Sequence, residues 1–312
     1  MPPCSRPWTP EPLGRARCDR PGRRRRDADA PVPGARGPSA PDAVVLRHRQ
    51  RRVPPRRRPR GTAEQQIERE VRWLPVFRES LSTTVPEVVA VGQPAEGFPH
   101  RWTVQRWIDG QDAVPTADAD WVGVARSLAA VVGELRDLDP TDGPVPGPTT
   151  SGRGTPLVTL DEHVRRCAAA TRDLGDTTEP TAGLDVDAAL DLWAQAVEAP
   201  AWAGPPVWFH GDLTPGNVLL RDGKLAAVID VGCAGVGDPA CDGLPTWTLF
   251  SGDAREEYRR LTHLDPATDL RTRGWAVFFG LTAMPHHHAT NPAFCRTARR
   301  VVDAVCDVSG HR

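Results

Sequence analysis

An α+β fold is predicted for this 312-residue chain, with strands gathered ahead of a mostly helical C-terminal half. Two observations predict that order. β-Rich apolar runs occupy 88–91 and 102–107, and amphipathic segments with helical spacing follow one another beyond position 117. A third observation is the Asp222-Gly223 pair between the apolar runs 218–220 and 225–229, a strong hairpin signal.

Residues 1–60 show no apolar period. They hold 17 Arg, no Lys and 5 acidic residues, a net of +12, together with 13 of the 33 prolines. Proline at this density blocks helix interiors and central strands, so 1–60 is expected to be disordered. Val44-Val45-Leu46 is the only strand-like piece there. Residues 61–312 hold 22 basic and 35 acidic residues, a net of −13, and read as an ordinary acidic globular domain, large enough for two lobes around a cleft. The change at Gly61 is abrupt. Two explanations compete: a natural variant with a degenerate small lobe, or, the favoured one, a shifted reading frame or wrong start in a GC-rich gene, where Arg, Pro, Ala and Gly dominate.

Thr62 is placed to cap a helix over 63–74, with Ile67, Val71 and Leu74 on one face. The runs 88–91 and 102–107, separated by the turn-rich stretch 92–100, are expected to pair as antiparallel strands of a small lobe. Beyond position 110, helices are expected over 118–138, 159–174 (opening with a Thr159/Glu162 capping box), 184–197, 242–250, 254–261, 269–284 and 291–305. His286-His287-His288 is expected on a loop, since Pro285 and Asn291-Pro292 flank it and three consecutive histidines cannot share one ion on a helix.

Chemistry concentrates at His210-Gly211-Asp212-Leu213-Thr214-Pro215-Gly216-Asn217, followed by Val228-Ile229-Asp230-Val231-Gly232. An H-x-D loop with Asn five residues after the Asp, then D-x-G, is the spacing of phosphoryl transfer in kinases. The transferred group passes through a loose transition state, so the protein chiefly positions the hydroxyl and the metal. Asp212 is the candidate catalytic base. Asn217 and Asp230, brought to one end of the hairpin, are hard oxygen ligands suited to Mg2+.

This run resembles the aminoglycoside phosphotransferase family, a branch of the protein-kinase-like fold whose loop reads H-G-D-x-x-x-x-N. The resemblance covers residues 61–312. It implies a two-lobed architecture: a small, partly β N-terminal lobe over 61–110, incomplete here, and a mostly helical C-terminal lobe over 111–312. It implies ATP or GTP and Mg2+ as cofactors. It assigns Glu70 to the helix carboxylate that pairs with the nucleotide lysine, and it makes 107–110 the hinge, where backbone groups of Arg106 and Ile108 meet an adenine edge and Trp107 is a further cofactor-binding residue. Asp242 falls where the family braces the catalytic loop, although a helix cap is an equal reading. Two family features have no counterpart: a glycine-rich phosphate loop, and the nucleotide lysine, since Lys224 is the only lysine in the chain. Low turnover is the expectation that follows.

The function implied is ATP-dependent phosphorylation of a hydroxyl on a small molecule of aminoglycoside type. The alternatives are a relative acting on a macrolide, choline or homoserine, or an inactive ligand-binding relative. The acidic balance favours a cationic acceptor. Specific nucleic-acid binding is not expected, because the ten tryptophans lack interleaved basic residues. Seven cysteines with no C-x-x-C pair read as reduced thiols, and no apolar run spans a membrane, so a cytoplasmic protein is expected.

Overall fold

A computed structural model describes residues 44–47, 62–95, 100–114, 119–175, 181–263 and 265–307. Most of the stretch expected to be disordered, residues 1–43 and 48–60, lies outside the described residues. The small lobe is built on a three-stranded antiparallel sheet in the order β1-β3-β2, formed by β1 (Val44–Arg47), β2 (Val88–Gly92) and β3 (Trp102–Arg106). In the register, Val44 faces Arg106 and Val91 faces Thr103. The strand-like Val44-Val45-Leu46 piece is therefore an edge strand, and the small lobe draws on sequence ahead of Gly61.

Helix α1 (Thr62–Ser80) packs against β2 and continues through Pro75, six residues beyond the expected end at position 74. The reason is tertiary. Phe77 is buried beyond the proline and stacks edge-on against Trp208, with ring centroids 5.3 Å apart, while Trp73 meets the same indole at 4.6 Å. Aromatic pairs of this kind add about 0.5–1.5 kcal/mol each beyond area burial, and together with the burial of Phe77 they work against the ~3 kcal/mol a mid-helix proline costs.

After β4 (Gln111–Asp112) the chain becomes helical: α2 (Trp121–Asp137), α3 (Asp161–Asp173) and α4 (Val186–Glu198). Then come β5 (Val207–Phe209), β6 (Val218–Arg221), β7 (Lys224–Val228) and β8 (Gly235–Gly237). The remainder is α5 (Pro245–Thr248), α6 (Gly252–Leu261), α7 (Pro266–His287) and α8 (Pro292–Asp307). The expected hairpin is β6–β7, with Val218 opposite Val228 and Asp222 at positive φ in its turn. β4 adds to its other edge, and β5 pairs with β8.

Two apolar clusters hold the large lobe together. One gathers Leu74 and Phe77 of α1, the buried stripe of α2, Trp208, Leu213, Val218, Val228 and Tyr258 around the β6–β7 hairpin. The other packs α3, α4 and α8 around α7. α7 is buried from Thr268 to Leu281 almost without interruption, which is why it shows no amphipathic period. The architecture is the expected α+β, kinase-like two-lobed fold.

Three local expectations are corrected. The Thr159/Glu162 capping box does not form: Leu157–Leu160 is a 3-10 turn, and the Thr159 hydroxyl donates to the Pro156 carbonyl oxygen at 2.7 Å. The expected helix over 242–250 is a 3-10 turn (Pro239–Gly243) followed by the single-turn α5, because Pro245 prevents continuous helix. His286 and His287 lie in the last turn of α7 rather than on a loop, Pro285 notwithstanding, with His286 Nδ1 2.8 Å from the Thr282 carbonyl oxygen.

Candidate active site

The loop between β5 and β6 carries the expected base. Gly211 opens it at φ +80, and a Cβ there would stand 2.9 Å from the Cys233 carbonyl oxygen, so both backbone angle and space demand glycine. The loop is braced from below. Asp242, 1% exposed, accepts the backbone N–H of His210 at 2.8 Å on Oδ2 and that of Gly211 at 2.7 Å on Oδ1. The buried Tyr258 hydroxyl in turn donates to the Asp242 carbonyl oxygen at 2.7 Å. Asp242 thus supports the loop rather than capping a helix. Burial raises its carboxyl above the usual range, opposed by the charge of His210 and the two N–H bonds.

Asp212 sits where the loop turns toward β6. Its N–H points at His210 Nδ1, 3.3 Å away. Asn217 Nδ2 donates to both the Asp212 carbonyl oxygen and Asp212 Oδ2, each at 2.8 Å. Arg153 Nη2 meets the other oxygen, Oδ1, at 3.3 Å. The carboxylate is held from two sides and 21% of its side chain remains exposed. Each oxygen has two lone pairs, so an acceptor hydroxyl can still be received.

Asp230 follows β7 at φ 63, ψ 62, a left-handed conformation costly for a residue with a Cβ. Its neighbour Ile229 donates its N–H to the Asn217 carbonyl oxygen at 2.9 Å, which brings the two expected metal ligands to the same end of the hairpin. The next turn, Val231–Cys233, packs against α1. Burial, then Asp212, pushes the Cys233 thiol up.

The expected nucleotide residues lie on the small-lobe side. Glu70 Oε2 accepts from Gln105 Nε2 at 2.9 Å, with Gln105 buried on β3 one residue before Arg106. The Arg106 N–H is given to the Glu87 carbonyl oxygen at 2.9 Å, so that donor does not face a nucleotide base, and its Nε goes to Glu87 Oε2 at 2.9 Å. Trp107 is 52% exposed, with its indole N–H 2.8 Å from Asp109 Oδ1. Ile108 lies just before β4, whose pairing of Gln111 with Leu220 ties the expected hinge to the β6–β7 hairpin.

Two arginines escaped the sequence reading because each lies far along the chain from the atoms it meets. Arg69 on α1 is 9% exposed and reaches the Thr149 carbonyl oxygen, while its Nε and Nη1 find no partner among the described residues. Arg153 lies in a Gly- and Thr-rich loop that carries no helical or strand period to mark it.

The donors present suit a hard divalent cation: Asn217 commits its Nδ2 to Asp212 and keeps its amide oxygen, and Asp230 offers a carboxylate. Among the described residues no cluster of three or more His, Cys, Asp or Glu forms a protein-only metal cage.

The model of the phosphotransferase enzyme family, APH, matches residues 36–276, and the chain belongs to that family. The match begins in the Arg- and Pro-rich stretch and takes in β1. Among solved structures, a mutant aminoglycoside 2'-phosphotransferase-IIIa in its GDP complex is similar at TM-score 0.54 and 17% identity, over 80% of this chain and 83% of that one. The GDP and kanamycin complex of APH(2")-IIIa is similar at TM-score 0.53 and 18% identity, over 80% and 84%. A thermostable mutant of APH(4)-Ia in ternary complex with AMP-PNP and hygromycin B is similar at TM-score 0.50 and 20% identity, over 80% and 84%. No curated protein sequence matches the chain. Among the described residues no helix is long and apolar enough to cross a membrane.

Proposed function

We propose that this protein transfers the γ-phosphoryl group of ATP or GTP to a hydroxyl of a small molecule, with Asp212 as the base. The observation that carries the reading is the Asp212–Asn217 pair, in which one amide fixes both the carbonyl and the carboxylate of the expected base. The acceptor hydroxyl hydrogen-bonds to Asp212. Its oxygen forms the new bond to Pγ as the bond from Pγ to the bridging oxygen breaks, that electron pair leaves on the nucleoside diphosphate, and the proton passes to Asp212. Asn217 and Asp230 would hold Mg2+, which neutralises charge on the phosphates when bound. Glu70, Trp107, Ile108 and the backbone around Arg106 would line the nucleotide side. The nucleotides named with the similar structures support such a site, and the kanamycin and hygromycin B named with them support a small-molecule acceptor.

Positioned general bases contribute about 10²–10⁴-fold. Asp212→Ala and Asp212→Asn are therefore expected to lower nucleotide-dependent phosphorylation by that factor while the unfolding transition stays in place. Turnover equal to wild type in both variants refutes the assignment. A second reading is a ligand-binding relative without turnover, favoured by the lack of any lysine besides Lys224. It requires wild type to bind nucleotide yet transfer nothing across a panel of small alcohols.

A further inference from the structure

Arg153 stands beside the reaction just described without a part in it. It projects from the loop joining the 3-10 turns Pro148–Thr150 and Leu157–Leu160. Its Nε donates to the Gly211 carbonyl oxygen at 2.9 Å, Nη1 to the Ser151 carbonyl oxygen at 3.1 Å, and Nη2 to Asp212 Oδ1 at 3.3 Å. The guanidinium carbon lies 5.2 Å from the Phe278 ring centre and 5.6 Å from that of Trp275, both on α7. The cation therefore rests on an aromatic wall of the helical lobe and meets the carboxylate oxygen that Asn217 does not use.

Two consequences follow. A guanidinium carries five N–H groups in a rigid plane, and three are committed to oxygens of this chain, leaving two on the η nitrogens. The charge is permanent, since arginine keeps its proton throughout the working range. Any alcohol that hydrogen-bonds to Asp212 brings its neighbouring substituents within contact range of this cation. At that range the acceptor's substituents meet the oriented Arg153–Asp212 pair, cation on one side and carboxylate on the other, rather than the −13 spread over residues 61–312.

We propose that Arg153 determines the specificity of the acceptor site. Its remaining N–H groups donate to an oxygen of the acceptor next to the hydroxyl being phosphorylated. The acceptor is a neutral polyol or an anionic hydroxy compound, and a molecule with an ammonium at that position is rejected. This rests on Asp212 being the base. Under this proposal the local pair, rather than the overall charge from which a cationic acceptor was expected, selects the substrate.

The test uses the full chain, ATP and Mg2+, and acceptors matched in skeleton: glucose, glucuronate and glucosamine, with an inositol and its amino counterpart. Wild type is expected to favour the neutral and anionic members over the amines in kcat/KM by about tenfold or more, the size of a like-charge contact partly screened by water. Arg153→Gln is expected to shrink that ratio about tenfold, and Arg153→Lys to keep most of it. A ratio of two acceptors is independent of the fraction of enzyme folded, so loosening of the loop by the substitution cannot mimic the result. An unchanged ratio in Arg153→Gln overturns the inference, as does a wild-type preference for the amines. In either case, loss of transfer in Asp212→Ala would leave the phosphotransferase reading standing. Transfer to none of the acceptors overturns both.

Discussion

Replacing Asp242 with Asn leaves the shape of the side chain intact and removes one of the two oxygens that hold the loop of the proposed base. Oδ1 and Oδ2 accept the Gly211 and His210 N–H groups at 2.7 and 2.8 Å in a site 1% exposed. The amide can accept from only one of them and turns its own N–H groups toward the other. A hydrogen bond to a charged group contributes about 1.5–3 kcal/mol, and the orphaned buried donor costs about 1–3 kcal/mol. Against this, burial already raises the carboxyl, so a neutral side chain escapes a desolvation cost that the carboxylate bears. A net destabilisation of about 2 kcal/mol follows, or roughly 4–8 °C in Tm for a domain of this size. Catalysis should suffer more than stability. The same two N–H groups fix the two residues ahead of Asp212, and a shift of about 1 Å at a reacting group costs on the order of 10²-fold. Urea titration gives the stability and steady-state phosphorylation the rate. A variant with both the wild-type unfolding midpoint and wild-type turnover would refute the view that Asp242 braces the loop.

Asn217→Ala and Asp230→Ala are expected to raise the Mg2+ concentration needed for half-maximal turnover or to abolish it. An unchanged Mg2+ titration in both would reduce the two residues to turn formers. Glu257 accepts from Arg260 at 3.0 Å and from Arg126 at 2.7 Å, joining α6 to α2, and these bonds hold its carboxyl down to about 2. A depressed folded-state value means stability present above the ordinary glutamate range and lost as pH falls toward 2. Glu257→Gln should therefore flatten the loss of stability between about pH 4.5 and 2. Identical acid unfolding of variant and wild type would contradict that.

The sequence alone located the part of this protein proposed to carry its chemistry. Spacing placed Asp212, Asn217 and Asp230 around a hairpin, and the Asp222-Gly223 turn is where it was read, because turn type and strand alternation are local properties encoded within a few residues. The helical half was legible for the same reason, with Asp120 and Asp185 capping α2 and α4 through side-chain bonds to nearby backbone N–H groups. Tertiary structure decided the rest. The Val44–Arg47 run was legible as strand-like, but its pairing along the open edge of β3 was not, because its partner lies far along the chain. Helix α1 runs past Pro75 because Trp208, remote in sequence, receives Phe77. Arg153 meets Asp212 across 59 positions, Asp242 meets Gly211 across 31, and Gln105 meets Glu70 across 35. Such pairs are set by the packing of elements rather than by sequence period, so the charge around the expected base emerges only once the chain has folded.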